Sequence, residues 1–578
     1  MGVGASNVLD RIAASVGDLT TVAPSFQAVC DVPSGGVLLA LPGLLAIGLL
    51  QQAEKYFQLP KGYYGLESLF VMLAFLALAR LPSLEQLRYC APGEWGKLLG
   101  LDRIPEVRTV RKKLALLSAQ GAVNAWSAEL CAQWMGEDPE QASVLYVDGH
   151  VRVYHGAQTP LPRHYVARQK LCLRATTDYW VNAMDGQPFF LLNQAVDPGL
   201  LQVLEQQIVP RLEQAIPGQP SGEALAHDAK LSRCTLIFDR EGYSPAFLRR
   251  MKEKRSACVT YHKYPGEDWP REEFQACQVE LASGASVAMP LAARGTFLGG
   301  TLWVREIRKL TASGHQTAVL STDYRRDPGP TAAAMFARWS PENFFRYMRQ
   351  HYGLDRLVDY GVDAIPDTIL VVTPEYRRLD GQVRSLNGRL ARQRAAFGAL
   401  TLTGEIEPKK VAAFEYQKAA FQEQIETLTR ELDERKAQRK ALKRHITIAE
   451  LPEEERFKQL RTQSTQLIDT IKMVAYRAET AMVQMAREVM PREDDARSLL
   501  RALYGTEADL VPDEKAGTLT VRVHHQASRA ADAIIRHLCN ELNQTETIFP
   551  GTSLRLVYEL VLNEPNTVSV HPNEMACA

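Results

Sequence analysis

Two apolar runs that each break on an acid constrain this chain more tightly than any other feature. Residues 145–153 read LYVDGHVRV: an apolar run enters Asp148 at a sharp Asp-Gly step, and a second alternating strand, 151–153, leaves it. Residues 235–243, TLIFDREGY, repeat the theme with Asp239. Residues 337–347, ARWSPENFFRY, open a helix with Glu342 in its first turn. Acids at two strand ends and one helix start, far apart in sequence, are expected to converge on divalent metal. The expectation is that Asp148, Asp239 and Glu342 bind two Mg²⁺ ions, with Mn²⁺ able to substitute, for chemistry at a phosphodiester. Mg²⁺ prefers hard oxygen ligands and keeps several waters, so a few carboxylates suffice. Two ions ~4 Å apart can serve both the attacking and the leaving oxygen.

Each acid also has a structural reading. Asp148-Gly149 is a hairpin-turn signal, Asp239 fits a strand-terminal turn, and Glu342 suits the helix dipole after Ser340-Pro341. What separates the two readings is the joint pattern: three acids in order, on the right elements. His150, His155 and His164 lie near Asp148, but no HxH or HxxxH spacing points to zinc. They read as polar neighbours, and Glu241 as a solvated loop acid.

The chain of 578 residues has room for roughly three or four domains. Its 46% hydrophobic and 23% charged residues exclude a disordered chain. Lys+Arg and Asp+Glu both number 67, which disfavours a simple nucleic-acid coat protein but leaves local basic patches free to act. Nine cysteines without a CxxC pair argue against zinc ribbons and disulfide scaffolds. The apolar stretches 37–50 and 69–81 are shorter than the ~20 residues of a membrane span and read as buried helices.

Residues 1–138 are expected to form a helical domain after an irregular arm over 1–35. Within it, residues 93–117 read as a helix-turn-helix, with a turn at Gly100-Leu101-Asp102 and a second helix from Pro105 carrying Arg108, Arg111, Lys112 and Lys113. From Ser143 strands dominate, first antiparallel and then alternating with helices, which describes an α/β layer fold over 139–362. Residues 268–324 read as a β-rich insertion within it. Basic clusters at Arg163, Arg168, Lys170 and Arg174, and at Arg249, Arg250, Lys252, Lys254, Arg255 and Lys263, fit sequence-blind phosphate contacts.

In element order and in the placing of its acids, the stretch 140–360 resembles a DDE transposase with an RNase H-like core. Among these it is most similar to bacterial insertion-sequence transposases with a β insertion before the third acid. Their third block, Tyr-x2-Arg-x3-Glu-x6-Lys, is matched by Arg338 and Glu342 but has Met335 at the tyrosine and Arg349 at the lysine position. The resemblance implies that Asp148 bridges two metal ions, with Asp239 and Glu342 completing the site. It also implies that Arg240, Arg338 and Arg349 contact DNA. The implied activity is cleavage of element ends by metal-activated water and joining of 3′-hydroxyl ends to target DNA. The implied partners are double-stranded DNA, as terminal inverted repeats and target, and further copies of the chain, in a homodimer or higher oligomer. A cytoplasmic, nucleoid-associated bacterial protein with no membrane partner is the implied setting. Two alternatives stand beside it: a metal-dependent nuclease without strand transfer, and a non-catalytic DNA-binding protein derived from a transposase.

The last third reads differently. Leu379, Val383, Leu386, Leu390, Phe397 and Leu400 keep a heptad spacing, as do Phe414, Phe421, Ile425, Leu428 and Leu432, with a turn at Thr403-Gly404. This predicts a coiled-coil hairpin, and a third long helix over about 453–489 completes an arm at 363–492. A small α+β segment is expected over 493–578, so the whole is multidomain.

Overall fold

The computed structural model describes residues 8–156, 160–166, 169, 171–281, 285–336, 339–401, 407–490 and 492–561. The chain is a mixed α/β protein in two compact units, one built from 1–155, 163–361 and 460–578, the other from 156–162 and 362–459.

The larger unit centres on a ten-stranded sheet. Val144–Val153 lies inside it, antiparallel to Leu171–Ala183 on one side and parallel to Cys234–Phe238 on the other. Ser256–Tyr261 continues the parallel run, and Pro188–Gln194 pairs with the far edge of Leu171–Ala183. The apolar residues 144–147 and 234–238 are buried throughout, as strands covered on both faces must be. Within 268–324, Gln275–Glu280, Ser286–Leu298, Leu302–Leu310 and Gln316–Ser321 extend the same sheet antiparallel.

Asp148-Gly149 is not a turn. The strand runs unbroken from Val144 to Val153, with Asp148 opposite Trp180 and Gly149 opposite Tyr179. A Cβ at Gly149 would sit 3.3 Å from the Tyr179 ring, so the glycine serves close packing of an aromatic rather than chain reversal.

The amino-terminal region is helical, and Leu66–Leu78 is buried nearly all round. It does not stand apart, however. Val29–Val32, within the expected irregular arm, pairs with Ala508–Asp513, which continues into Thr518–Val523 and Arg555–Leu560 as a four-stranded sheet. The boundaries expected at 138 and 492 therefore fall inside one compact unit. A four-residue strand whose partner lies hundreds of residues away leaves no local periodicity to read.

The expected third helix of the arm is also relocated. It spans Gln463–Arg487, and it lies in the core of the larger unit with 20 buried residues, Asp469, Lys472, Arg477 and Glu479 among them. Lys472 is fully enclosed, and loss of hydration pushes its ammonium down to about 8 despite Asp469 Oδ1 at 3.9 Å. A lysine whose folded pKa is depressed costs the folded state its full penalty below about pH 8. That penalty fades as the pH rises toward the unfolded value of 10.5. Lys472→Met is expected to gain about 1–3 kcal/mol near pH 7. It should also flatten the rise in stability between pH 8 and 10.5, as read by denaturant melts.

The smaller unit holds the predicted hairpin, Pro374–Gly398 and Pro408–Ala441, with Val383, Leu386, Leu390, Leu428 and Leu432 buried between its helices. The predicted turn at Thr403-Gly404 lies outside the described residues.

Candidate active site

Parallel pairing sets the first two acids together. Val147 is in register with Phe238. The next residues along the two strands, Asp148 and Asp239, are therefore neighbours across the ~4.8 Å strand spacing where Cys234–Phe238 ends. Asp148 is half-buried and Asp239 exposed. Each carboxylate is oriented by the amide that follows it: Gly149 N donates to Asp148 Oδ1 at 2.8 Å, and Arg240 N donates to Asp239 Oδ1 at 2.7 Å. Thr260 Oγ1 donates to the Asp239 carbonyl at 3.0 Å and ties that strand end to its neighbour.

The third acid stands in the first turn of the helix Trp339–Tyr352, and the Glu342 side chain lies outside the described residues. The packing of this helix is defined. The Phe345 ring stacks on His150 at 6.1 Å and meets Trp180 edge-on at 6.2 Å, while Phe344 lies 5.3 Å from Trp180. His150 is two residues along the strand from Asp148, and Trp180 is directly opposite it, so all three project from one face of the sheet. Residue 342 precedes Phe345 by one helical turn on the same side of the helix. The helix thus packs on the sheet face that bears Asp148.

The surroundings are acidic. Loss of hydration, then the charges of Asp197 and Asp239, pushes the Glu241 carboxyl above its ordinary range, although much of the residue's surface is open to solvent. The Tyr179 hydroxyl, which donates to Asp197 Oδ1 at 2.8 Å, is raised by burial and then by Asp197, Glu241 and Asp148. Asp197 itself is lowered: burial alone would raise it, but His164 Nδ1 lies 3.7 Å from Oδ2, and the Gly199 amide and the Tyr179 hydroxyl donate to Oδ1 of its charged form. Carboxylate oxygens are the kind of ligand a hard divalent cation takes. Among the described residues, a set of three donor atoms within 4.8 Å of one another occurs elsewhere, at Asp31, Asp509 and His524.

The predicted DNA-contacting cations divide. Arg108 and Lys112 are exposed, whereas Arg111 is paired with Glu85 and Lys113 Nζ donates to the Tyr64 carbonyl at 2.7 Å. These four lie on Val107–Ala119, which the chain reaches from Pro92–Lys97 through residues 98–106. That connection is longer than the three- to four-residue turn of a helix-turn-helix. Arg240 Nη2 donates to the Lys263 carbonyl at 2.8 Å, and Arg349 Nε to the Phe345 carbonyl at 3.3 Å. Arg338, Arg168 and Lys170 lie outside the described residues. In the second basic cluster Arg250 is paired with Glu205 at 2.8 Å, and Lys252 lies 4.9 Å from the Tyr324 ring centre.

Sequence reasoning missed the groups around the candidate acids: Trp180, Phe344 and Phe345, Tyr179, and Asp197. His150 was noted only as a polar neighbour of Asp148.

The chain has been compared with known proteins. None of the curated proteins matches it. Among solved structures, a cryo-EM structure of piggyBac transposase in a synaptic complex with hairpin DNA is similar at 10% identity, covering 83% of this chain and 84% of that one. The TM-score is 0.27, too loose a correspondence to transfer geometry. The family described as "Transposase protein" matches residues 2–562, nearly the whole length. The chain belongs to this family of transposases.

Proposed function

We propose that the protein is a DDE-type transposase whose centre is Asp148, Asp239 and Glu342. The observation that carries this reading is the side-by-side register of Asp148 and Asp239, with the Glu342 helix packed on the same sheet face through Phe345. The strand order supports an RNase H-like core: an antiparallel pair outside a parallel run, with one acid on Val144–Val153 and another directly after Cys234–Phe238. Asp148, Asp239 and Glu342 would hold divalent ions, Mg²⁺ or Mn²⁺, which when bound supply charge neutralisation and a more acidic nucleophile. The chain's own residues do the rest. The Gly149 and Arg240 amides orient the two strand carboxylates. Phe345 and Trp180 exclude water from the floor of the site. Arg240 and Arg349, with Arg338, are the side chains proposed to meet DNA backbone near the cleavage point.

Element ends and target DNA are the proposed substrates, held by basic side chains and by further copies of the chain. Of the four cations on Val107–Ala119, Arg108 and Lys112 are open to phosphate while Arg111 and Lys113 are engaged within the protein. Arg108→Ala and Lys112→Ala are each expected to reduce the slope of log affinity against log salt by about 1, whatever the DNA sequence. Arg111→Ala should change it less.

Product analysis tests the reading. The wild type is incubated with a duplex containing the DNA that flanks the gene, a target plasmid, and Mg²⁺ or Mn²⁺. Cleaved ends joined to the plasmid are expected. Cleavage without joined product would favour the nuclease alternative, and binding without cleavage the non-catalytic one.

A further inference from the structure

The core helix Gln463–Arg487 is polar where a core helix is ordinarily apolar, and its acids grip two elements of the proposed centre. Asp469 Oδ2 accepts from Arg152 Nη2 at 2.7 Å, and Arg152 also binds Asp178 Oδ2 at 2.6 Å. Arg152 stands four residues beyond Asp148 on the same strand and the same face. Further along, Glu479 is fully buried. Its Oε1 accepts from the Tyr347 hydroxyl and from Arg80 Nη2, each at 2.6 Å, and its Oε2 accepts from the Tyr352 hydroxyl. Tyr347 and Tyr352 belong to the Glu342 helix. The Tyr476 ring fills the space between the two helices, 5.1 Å from Phe344.

The two grips are ten residues apart on one rigid helix, ~15 Å along its axis and ~80° apart around it. Neither end can shift cheaply, because each holds charges enclosed in the core.

We propose that this helix is a spacer that sets the separation of the strand acids from Glu342. Asp469 fixes the Asp148 strand through Arg152, Glu479 fixes the Glu342 helix through Tyr347 and Tyr352, and the three groups around Glu479 are positioning residues. The inference rests on the assignment of Asp148, Asp239 and Glu342 as the centre. Tyr347 lies five residues from Glu342, ~7.5 Å along the helix, so pinning its hydroxyl fixes both the roll and the height of the first turn. Reacting groups misplaced by 1 Å can cost about 100-fold in rate, and the two tyrosines guard against such a shift.

The test uses Tyr347→Phe, Tyr352→Phe and the double variant, which remove hydroxyl donors while leaving the Arg80–Glu479 pair and the ring packing in place. Asp148→Asn and Glu342→Gln serve as controls. Four quantities are measured on the full chain: thermal midpoint, affinity for the flanking-DNA duplex, calorimetric Mn²⁺ affinity of the protein–duplex complex, and single-turnover cleavage at saturating duplex. The double variant is expected to fold with a lowered thermal midpoint, since the buried Glu479 carboxylate loses two donors, and to bind duplex normally. It should bind Mn²⁺ about 10-fold more weakly and cleave about 100-fold more slowly, with smaller losses in each single variant. A folded double variant with wild-type Mn²⁺ affinity and cleavage overturns the proposal. If the double variant does not fold, the same comparison on the single variants decides. If Asp148→Asn and Glu342→Gln bind Mn²⁺ and cleave like wild type, the assignment of the centre fails and the spacer role falls with it.

Discussion

Asp148→Asn is expected to lower DNA cleavage by on the order of 10³-fold or more while leaving folding and DNA affinity near wild type. The size follows from the chemistry: a metal ion at the reacting phosphate contributes several kcal/mol, and each 1.4 kcal/mol is tenfold in rate. The selectivity follows from the surroundings. Asp148 is half-buried, and its Oδ1 accepts from the Gly149 amide, a bond that asparagine's carbonyl oxygen can also make. The strand around it is held by nine paired residues of Leu171–Ala183 and by Cys234–Phe238, none of which depends on the charge. Single-turnover cleavage and duplex affinity, measured together with a thermal melt, check the prediction. A large fall in the melting midpoint would instead make Asp148 a structural acid.

Arg152→Met is expected to have the largest effect on stability, a loss of about 3–5 kcal/mol. Arg152 is entirely enclosed, and its Nη2 serves Asp178 and Asp469 while Nη1 donates to the Arg356 carbonyl at 3.0 Å. Methionine fills much of the volume but leaves two buried carboxylates without their shared cation. Lys472 stands 3.9 Å from Asp469 and can offset only part of that charge. Urea unfolding should show a lower midpoint. Adding Asp469→Leu to Arg152→Met should recover part of the loss, because it removes one orphaned charge along with its partner.

Much of this arrangement was legible in the sequence because it repeats with a short period. The buried runs 144–147 and 234–238, the insertion strands and the heptads of the hairpin each announce themselves within ten residues or so. Asp148, Asp239 and Glu342, the acids of the proposed centre, stood out as candidates for the same reason: each stands at a break in a sequence pattern. What could not be read depends on distant partners. Gly149 looked like a turn because the aromatic that needs its missing side chain, Tyr179, comes thirty residues later. Gln463–Arg487 looked like part of the arm because its charges are satisfied by Arg80, Arg152 and Tyr352, none of them near it in sequence. Val29–Val32 has its partner strand at the far end of the chain. Val107–Ala119 showed its basic residues plainly, but not that Glu85 and Tyr64 already hold two of them. No helix among the described residues is long and apolar enough to cross a membrane, in keeping with the reading of 37–50 and 69–81 as buried elements.

The most direct test of the proposed centre is electron paramagnetic resonance of Mn²⁺ added to the complex with flanking duplex, for wild type, Asp148→Asn, Asp239→Asn and Glu342→Gln. The expected result is a spin-coupled pair of ions in wild type that disappears in each of the three variants. Equal Mn²⁺ uptake and the same spectrum in wild type and in all three variants would contradict a metal centre built from these residues.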